Sequence, residues 1–188
     1  TVITSYILGI FFFKEKPSLS SLVSLILAFL GLILVYWGDI QVGQFIPALG
    51  AIVSGSFFST WFVFSKKINS KYPTIQINTI SYAFGVVINL FIALMLRESF
   101  NNEFTSTAWL GNYGYALAGF FASGLILYGF KFIEAHKGSI VLLSEILFGM
   151  LFGYFLFNEL INITAIFGGI LIIISIALPN IKYLFRRN

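Results

Sequence analysis

Long uncharged apolar runs are the feature of this sequence that most restricts its fold. Several of them approach or exceed the ~20 residues that a helix needs to cross a bilayer. Hydrophobic residues make up 59% of the chain and charged residues 10%, and the mean hydropathy is +0.95. These values lie well outside the range of soluble domains. The runs are too long for strands, and polar and apolar residues do not alternate. The sequence therefore predicts an all-α integral membrane protein.

Charged and turn-forming residues divide the chain into seven predicted spans. The spans cover about residues 1–13, 19–37, 45–64, 74–96, 109–130, 138–157 and 163–178. Pro17 and Ser18 open the second span, because proline is tolerated in the first turn of a helix. The first run reaches only about 20 Å as a helix, too short for a ~30 Å hydrocarbon core. We therefore expect the chain to begin inside a helix and to be a fragment.

The basic residues fall almost entirely on one side of this predicted topology. One side receives Lys14, Lys16, Lys66, Lys67, Lys71, Lys131, Lys137, Lys182, Arg186 and Arg187. The other side receives Arg97. Short cytoplasmic loops of membrane proteins carry an excess of Lys and Arg. The C-terminus is therefore predicted to be cytoplasmic, and the net charge of +4 reflects topology rather than nucleic-acid binding.

The start and the end of the chain form an internal repeat with an offset of 144 residues. The equivalent pairs are Gly9 and Gly153, Phe11 and Phe155, Phe13 and Phe157, Glu15 and Glu159, Ser24 and Gly168, and Gly31 and Ser175. Five spans, an odd number, separate the equivalent positions, so Glu15 and Glu159 are predicted on opposite sides of the membrane. Such inverted repeats are characteristic of secondary transporters, in which access alternates around a midplane site.

The repeat also predicts the domain organisation. Residues 1–38 would be the last two helices of a first repeat, and residues 44–188 a second repeat of five helices. Counting back by the same offset places the start of the first repeat about 100 residues before Thr1. We therefore expect an inverted-repeat helical bundle of ten spans in the parent protein, of which this chain holds seven.

Motifs in the second half of the chain resemble the EamA-type members of the drug/metabolite transporter superfamily. The similarity lies in an apolar helix with a central glycine that ends in Gly-Glu or a similar pair, and in a glycine nine residues further on: LSEI at 143–146, FNE at 157–159 and Gly168. Residues 50–67, GAIVSGSFFSTWFVFSKK, resemble the family's sixth helix. The family often has proline where this chain has Ile146 and Val2, so the kink that proline would give is not expected from the residues at these positions. The resemblance implies a membrane transporter without giving its substrate, since relatives move amino acids, metabolites, drugs or sugar conjugates.

Glu145 is the ionisable residue that lies well inside a predicted span, about seven residues or roughly 10 Å from the start of its helix. A charge at that depth is costly unless it is solvated or paired. We therefore expect it to face the bundle or a wet cavity. Two roles stay open. One is a substrate contact or proton-coupling carboxylate, and the other is a structural carboxylate that pairs with Lys137, hydrogen-bonds across helices or extends toward the cytoplasmic interface.

Four further residues are candidates for substrate binding. Trp61, Tyr82 and Tyr128 lie near helix ends, where membrane proteins collect aromatic side chains in any case. The resemblance to the family's sixth helix makes Trp61 the first choice for a cavity wall. Asn89 lies near the middle of the fourth span, where a buried amide serves either to join helices or to bind substrate.

The remaining polar residues are expected to serve structure. Glu15 and Glu159 would hold tight turns, and the small residues that share one face of the fifth span would pack against another helix. His136 is a lone histidine, and the chain has no cysteine, so we expect no metal site and no cofactor. No span has proline in its middle, so a broken-helix ion site is not indicated.

Together these features predict a secondary transporter of a small organic solute, such as a metabolite, an amino acid or a drug-like compound. Its partners would be this solute and the lipid bilayer, and proton coupling through Glu145 is left open. A non-transporting scaffold or sensor is one alternative. A membrane-embedded enzyme is another, although it would need convergent catalytic side chains in the bundle. The abundance of Phe, Ile, Asn and Lys suggests a bacterial inner membrane, and a homodimer is one open oligomeric state.

Overall fold

The computed structural model describes residues 1–37, 45–98 and 105–180. Its helices are α1 (Val2–Phe13), α2 (Leu19–Val35), α3 (Phe45–Ile68), α4 (Thr74–Met95), α5 (Ser106–Phe130), α6 (Ala135–Val141), α7 (Ser144–Phe157) and α8 (Ile163–Ala177), followed by a 3₁₀ turn at Leu178–Asn180. These three ranges contain no strand, which confirms the predicted helical class for them. The predicted linker at 38–44, the polar stretch at 100–104 and the basic tail from Lys182 onward lie outside the described residues.

Helix length and composition support four membrane spans within the described ranges. They are Ile46–Ile68, Thr74–Met95, Thr107–Phe130 and the α6–α7 stretch Ala135–Phe157. Helices α1, α2 and α8 are equally apolar but shorter, with 12, 17 and 15 residues. The total of seven spans, and the alternation of loops that follows from it, stays a prediction.

Side-chain hydroxyl groups define the start of two helices. The Ser18 Oγ accepts a hydrogen bond from the Ser21 N–H at 3.3 Å, at the start of α2. The Thr105 Oγ1 accepts one from the Ala108 N–H at 3.3 Å, at the start of α5. Such caps satisfy backbone donors that have no partner in the first turn of a helix. The predicted opening of the second span at Pro17 and Ser18 is therefore confirmed.

The chain forms two compact units. The first unit consists of residues 1–63 and 133–188, and the second of residues 64–132. The first unit contains α1, α2, most of α3 and α6 to α8, and the second contains the end of α3 with α4 and α5. The boundary between the two sequence repeats, near residue 44, stays a prediction.

Helices α2 and α8 form the closest helix pair of the first unit. A Cβ added to Gly168 would lie 2.6 Å from the Gly31 carbonyl oxygen, and a Cβ added to Gly31 would lie 2.8 Å from the Gly168 carbonyl oxygen. Gly31 also faces Ile172, and Gly168 faces Val35. This register is that of two antiparallel helices. Glycine is required on both sides because the two backbones touch.

The buried residues of α2 and α8 are equivalent positions of the sequence repeat. The buried pairs, each separated by 144 residues, are Ser21 and Ala165, Ser24 and Gly168, Ala28 and Ile172, and Gly31 and Ser175. The two helices therefore bury the same stripe of their sequences against each other. Around this contact the core of the first unit includes Val2, Tyr6, Ile140 and Leu143.

Hydroxyl groups join α1 to α3 in the same unit. The Ser5 and Ser59 Oγ atoms lie 2.6 Å apart, and the Thr4 Oγ1 donates to the Ser56 Oγ at 3.2 Å. Ser5 and Ser59 are each 1% exposed. Small polar side chains of this kind let membrane helices approach closely and hydrogen-bond across the contact.

Two asparagines join α5 to the rest of the second unit. The Asn78 Nδ2 of α4 donates to the Phe120 carbonyl oxygen at 2.8 Å, and the Ser123 Oγ donates to the Asn78 Oδ1 at 3.0 Å. The Asn69 Nδ2 donates to the Leu127 carbonyl oxygen at 2.9 Å. Asn78 is fully buried and Asn69 is 3% exposed. Gly119 and Ser123 on the small face of α5 thus contact Tyr82 and Asn78 of α4, whereas Ala122, which was expected on the same face, is exposed.

Candidate functional site

The span that carries Glu145 is interrupted immediately before it. Helix α6 ends at Val141, and α7 begins at Ser144. Across the interruption the bonds are of the i to i−3 type: the Leu143 N–H donates to the Ile140 carbonyl at 3.1 Å, and the Glu145 N–H to the Leu142 carbonyl at 3.0 Å. Such 3₁₀ turns inside a helix often mark hinges or functional positions. The predicted span over 138–157 is found as the stretch 135–157, and the interruption within it was not predicted and needs no proline.

The interruption places Glu145 in the wall of a cavity of about 550 Å³ in the first unit, which we call the Glu145 cavity. Helix α7 contributes one face, with Ile146, Gly149 and Met150 beside the carboxylate. The turn after α7 and the first residues of α8 contribute most of the rest, and the C-terminal end of α2 closes it. The described lining from these segments is Val35, Tyr36, Glu159, Leu160, Ile161, Asn162, Thr164 and Ala165.

The Glu145 carboxylate is exposed to this cavity. The Glu145 carboxylate forms no hydrogen bond or ion pair with another of the described residues. Lys137, the predicted structural partner, forms an ion pair with Glu134. An unpaired carboxylate is stable within a span when it lines a water-accessible cavity. The structure places Glu145 on a cavity, and its role there stays a prediction.

Glu159 lies on the same cavity because of the turn that ends α7. Asn158 adopts a left-handed conformation with φ 53°, and the Glu159 N–H donates to the Gly153 carbonyl oxygen at 3.2 Å. This is the arrangement of a helix C-terminus closed by a residue in the left-handed region. The Glu159 carboxylate folds back over Gly153, where a Cβ would collide with it. The predicted role of Glu159 in a tight turn is matched, and its place on the cavity was not expected.

The Glu145 cavity presents hydrogen-bond acceptors on a largely apolar wall. Two carboxylates line it, and Asn162, Thr164 and Tyr36 add neutral polar groups. Its described lining contains no Lys, Arg or His. Carboxylates accept hydrogen bonds when ionised and donate one when protonated. The cavity is therefore suited to a solute with donor groups, or to exchange of a proton with water.

Trp61 belongs to the first unit but is not among the described lining residues of the Glu145 cavity. It is half-buried, and its ring centroid lies 4.7 Å from that of Phe62 and 6.3 Å from that of Phe58. These contacts are made along α3 itself. The structure therefore places Trp61 in an aromatic cluster, and its role as a wall of a substrate cavity stays a prediction.

The other three predicted residues belong to the second unit. The Tyr82 hydroxyl lies 3.3 Å from the Ser123 Oγ, and the Tyr82 ring packs against Phe120. Tyr128 is 54% exposed. The Asn89 Nδ2 donates to the Gly85 carbonyl oxygen of its own helix at 2.8 Å.

Asn78, rather than Asn89, makes the interhelical bond in this unit. Both are asparagines of α4, so their residue type does not separate them. The signal that the sequence offered was the small-residue face of α5 around Ser123, which allows the close approach that the Asn78 amide needs. For the Glu145 cavity the comparable signal was the polar cluster Glu159, Asn162 and Thr164 next to an unpaired intramembrane carboxylate.

Glu15, the equivalent of Glu159, has different partners. The turn is the same, with Lys14 at φ 53° and the Glu15 N–H bonded to the Gly9 carbonyl oxygen at 3.0 Å. The Glu15 carboxylate, however, accepts the Ala135 N–H at 2.8 Å and contacts the His136 Nδ1 at 2.8 Å. Its side chain is 7% exposed. Glu15 thus fixes the α1–α2 turn to the first turn of α6, beyond its predicted role in the turn.

Residues 1–37, 45–98 and 105–180 hold no group of three or more His, Asp or Glu that is arranged to bind a metal ion. Apolar helices long enough to span a bilayer, small-residue helix contacts and an acidic cavity within one unit define a polytopic membrane protein with a solute-sized cavity.

Comparison with known families identifies the class more closely. Residues 45–181 match the model of the EamA-like transporter family, and the chain belongs to that family. Its members are membrane transporters rather than enzymes. No curated protein and no solved structure matches the chain.

Proposed function

We propose that this chain is part of a secondary transporter that moves a small organic solute, and that the Glu145 cavity is where the solute or a coupled proton binds. Membership of the EamA-like transporter family supports the transport of small solutes. The observation that carries the assignment of the site is the position of Glu145. It is a carboxylate within a span, without a partner among the described residues, on a cavity of about 550 Å³.

The volume of the cavity fits a small solute. Ligand pockets in proteins occupy about 300–1,000 Å³, and a few polar groups on an apolar wall give them their specificity. Burial of a charged carboxylate without a function would cost several kcal/mol unless it were solvated. A role in binding accounts for an acidic residue that the packing of α7 does not require.

Alternating access of two inverted repeats is the mechanism that we propose. Three local features support it. The turns at Glu15 and Glu159 have the same backbone form, the same positions of α2 and α8 are buried, and α2 and α8 are antiparallel at Gly31 and Gly168. Two helices related by an in-plane two-fold axis would make contacts of this kind. In such transporters the substrate site lies near the interface of the repeats.

The topology is tested with single cysteines at equivalent positions. Lys16→Cys and Leu160→Cys are separated by 144 residues, and both residues are exposed in the structure. With a membrane-impermeant thiol reagent on intact cells, we expect Leu160→Cys to react and Lys16→Cys to react only after permeabilisation. Reaction of both positions from the same side would contradict the inverted repeat, the cytoplasmic C-terminus and the mechanism.

The site is tested by flux in sealed vesicles that contain the complete protein. The vesicles are loaded with a metabolite extract, and the solutes that leave are compared by mass spectrometry for the native protein and for Glu145→Gln. We expect Glu145→Gln to abolish the protein-dependent flux while expression is unchanged. Glu98→Gln, an equally conservative change at an exposed glutamate after α4, should leave the flux intact. Undiminished flux of Glu145→Gln at every pH would remove Glu145 from the mechanism.

A non-transporting scaffold or sensor is the second candidate function. The same experiment separates it, because a scaffold or sensor produces no protein-dependent flux of any solute. If the native protein shows flux that responds to a pH gradient and Glu145→Gln shows flux that does not, the carboxylate serves proton coupling rather than solute binding.

A further inference from the structure

The contact between α4 and α5 in the second unit has a definite register. Asn78 is fully buried and its Oδ1 accepts a hydrogen bond from the Ser123 Oγ at 3.0 Å, while the Tyr82 hydroxyl lies 3.5 Å from a Cβ added to Gly119. Both helices rise by the same distance per residue, so facing positions of an antiparallel pair have residue numbers with a constant sum. That sum is 201 for Asn78 with Ser123 and for Tyr82 with Gly119.

The same register continues along both helices beyond Tyr82. It pairs Gly85 with Ala116, and Asn89 with Asn112. On each helix the successive positions are four, three and four residues apart, which places them on one face. We call these two facing sets the α4–α5 seam: positions 78, 82, 85 and 89 of α4, and positions 123, 119, 116 and 112 of α5.

The far part of the α4–α5 seam is open in the described structure. A Cβ added to Gly85 of α4 would meet nothing within 4 Å, and the same holds for Gly111 and Gly114 of α5. Asn89 and Asn112 are both exposed, although the register places them opposite each other. The two helices therefore touch at one end of the seam and are separated at the other.

The open part of the seam contains two amides at the same depth. Asn89 and Asn112 each lie six residues from a helix end, at Met95 for α4 and at Ser106 for α5. The Asn89 Nδ2 donates to the Gly85 carbonyl oxygen of its own helix at 2.8 Å. The Asn89 Oδ1 and the Asn112 amide form no hydrogen bond with another of the described residues. Both helices are long and apolar enough to span a membrane, where an amide without a partner is unfavourable.

We propose that α4 and α5 also adopt a closed arrangement, in which the α4–α5 seam is complete and the amides of Asn89 and Asn112 hydrogen-bond to each other. Two facing asparagines satisfy each other, because each amide has an acceptor oxygen and an NH₂ donor. Gly85 and Ala116 lie between the two polar contacts, and small residues let membrane helices approach closely. The contact at Asn78 is common to both arrangements, so closure needs no change of register.

Closure is tested by disulfide formation between pairs of cysteines in the full-length protein in membranes. The test pair is Asn89→Cys with Asn112→Cys, introduced into a chain that has no cysteine. Copper phenanthroline is the oxidant, and the linked peptides are identified and quantified by mass spectrometry. The positive control is Tyr82→Cys with Gly119→Cys, because these positions are in contact in the structure.

The matched negative control is Ile88→Cys with Tyr113→Cys. Both residues are exposed and lie at the depth of the test pair, but a step of one residue turns each side chain by about 100°, to opposite sides of the seam. We expect the test pair to form its disulfide at least roughly tenfold faster than this control, because thiols are bridged only when their Cα atoms come within about 7 Å. A rate no higher than that of the negative control would overturn the proposal.

A third cysteine pair, Gly85→Cys with Ala116→Cys, reports closure while both asparagines stay in place. In this background Asn89→Leu and Asn112→Leu should each lower the rate of disulfide formation roughly three- to tenfold, the effect of losing one interhelical hydrogen bond in a membrane. The double substitution should lower it no further, because the two amides act on each other. Single effects that add in the double variant, or that are absent, would show that the amides do not pair and would overturn the proposal. Neither measurement requires a solute, so the result is independent of the test of the Glu145 cavity.

Discussion

The turns that follow α1 and α7 have the same local structure and different surroundings. In each, the last helical residues are followed by a left-handed residue, Lys14 or Asn158, and the next N–H bonds back to a glycine six positions earlier. The glutamate that follows lies over that glycine in both cases. Glu15 is nearly buried and bound to α6, whereas Glu159 is exposed on the Glu145 cavity.

The difference teaches that the local sequence determines the turn, while the neighbouring helices determine what the carboxylate does. A residue in the left-handed region ends each helix, and the hydrogen bonds of the turn lie within one short stretch of the chain. The partner of the carboxylate depends on α6, which lies more than a hundred residues away along the chain for Glu15. The same sequence motif thus binds the start of α6 through Glu15 and leaves the Glu159 carboxylate exposed at the Glu145 cavity.

The largest expected effect comes from the contact between α2, which follows the first turn, and α8, which follows the second. Gly168→Leu places a side chain against the backbone of Gly31 and Val35, which cannot move without separating α2 from α8. We expect a loss of about 3 kcal/mol or more in the free energy of unfolding, at or above the usual cost of overpacking. Gly31→Leu should cost about as much, because it meets the same contact from the other side. Thermal unfolding in detergent measures both.

Gly111→Leu is the matched control for this comparison. A Cβ at Gly111 would meet nothing within 4 Å in the described structure, and leucine is a better helix former than glycine by roughly 0.5–1 kcal/mol. The midpoint of unfolding should therefore stay or rise. If Gly168→Leu and Gly31→Leu differ widely from each other, the two helices do not share one contact.

A second experiment separates the two glutamates directly. Glu15→Ala leaves the Ala135 N–H and the His136 Nδ1 without their acceptor, and buried groups that lose a partner cost about 1–3 kcal/mol. Glu159→Ala removes an exposed side chain and should change the free energy of unfolding by less than about 0.5 kcal/mol. Its effect is expected instead in the solute flux. Equal destabilisation by both substitutions would contradict the contrast between the two turns.

Several parts of this fold could be predicted because they depend on neighbours in sequence. Apolar runs and charged breaks located the helices, and Pro17 with Ser18 located the start of α2. The sequence motif around Glu145 resembled the family to which the chain belongs. Glu15 and Glu159 were predicted to hold tight turns, and each follows a left-handed residue and bonds back to a glycine through its N–H.

Other parts could not be predicted because they depend on which groups come within reach in three dimensions. The interruption between α6 and α7 falls at Leu142 and Leu143. Neither residue is a proline or a glycine, so the residue type gave no signal. Asn78 and Asn89 lie on one helix, and only the position of α5 makes the former an interhelical donor. The Glu145 cavity depends on how the turn after α7 folds back beside Glu145.

The smallest expected difference concerns the two glycines beneath the carboxylates. A Cβ at Gly9 would lie 2.7 Å from the Glu15 Oε2, and one at Gly153 would collide with the Glu159 carboxylate. Glu159 is exposed and can rotate away into the cavity, so Gly153→Ala should keep the gain in helix propensity of roughly 0.5–1 kcal/mol. Glu15 is held by α6 and cannot rotate without losing its bonds, so Gly9→Ala should destabilise the protein by about 1 kcal/mol. The two midpoints of thermal unfolding should therefore move in opposite directions. A shift of the same sign for both would mean that Glu15 is no better anchored than Glu159.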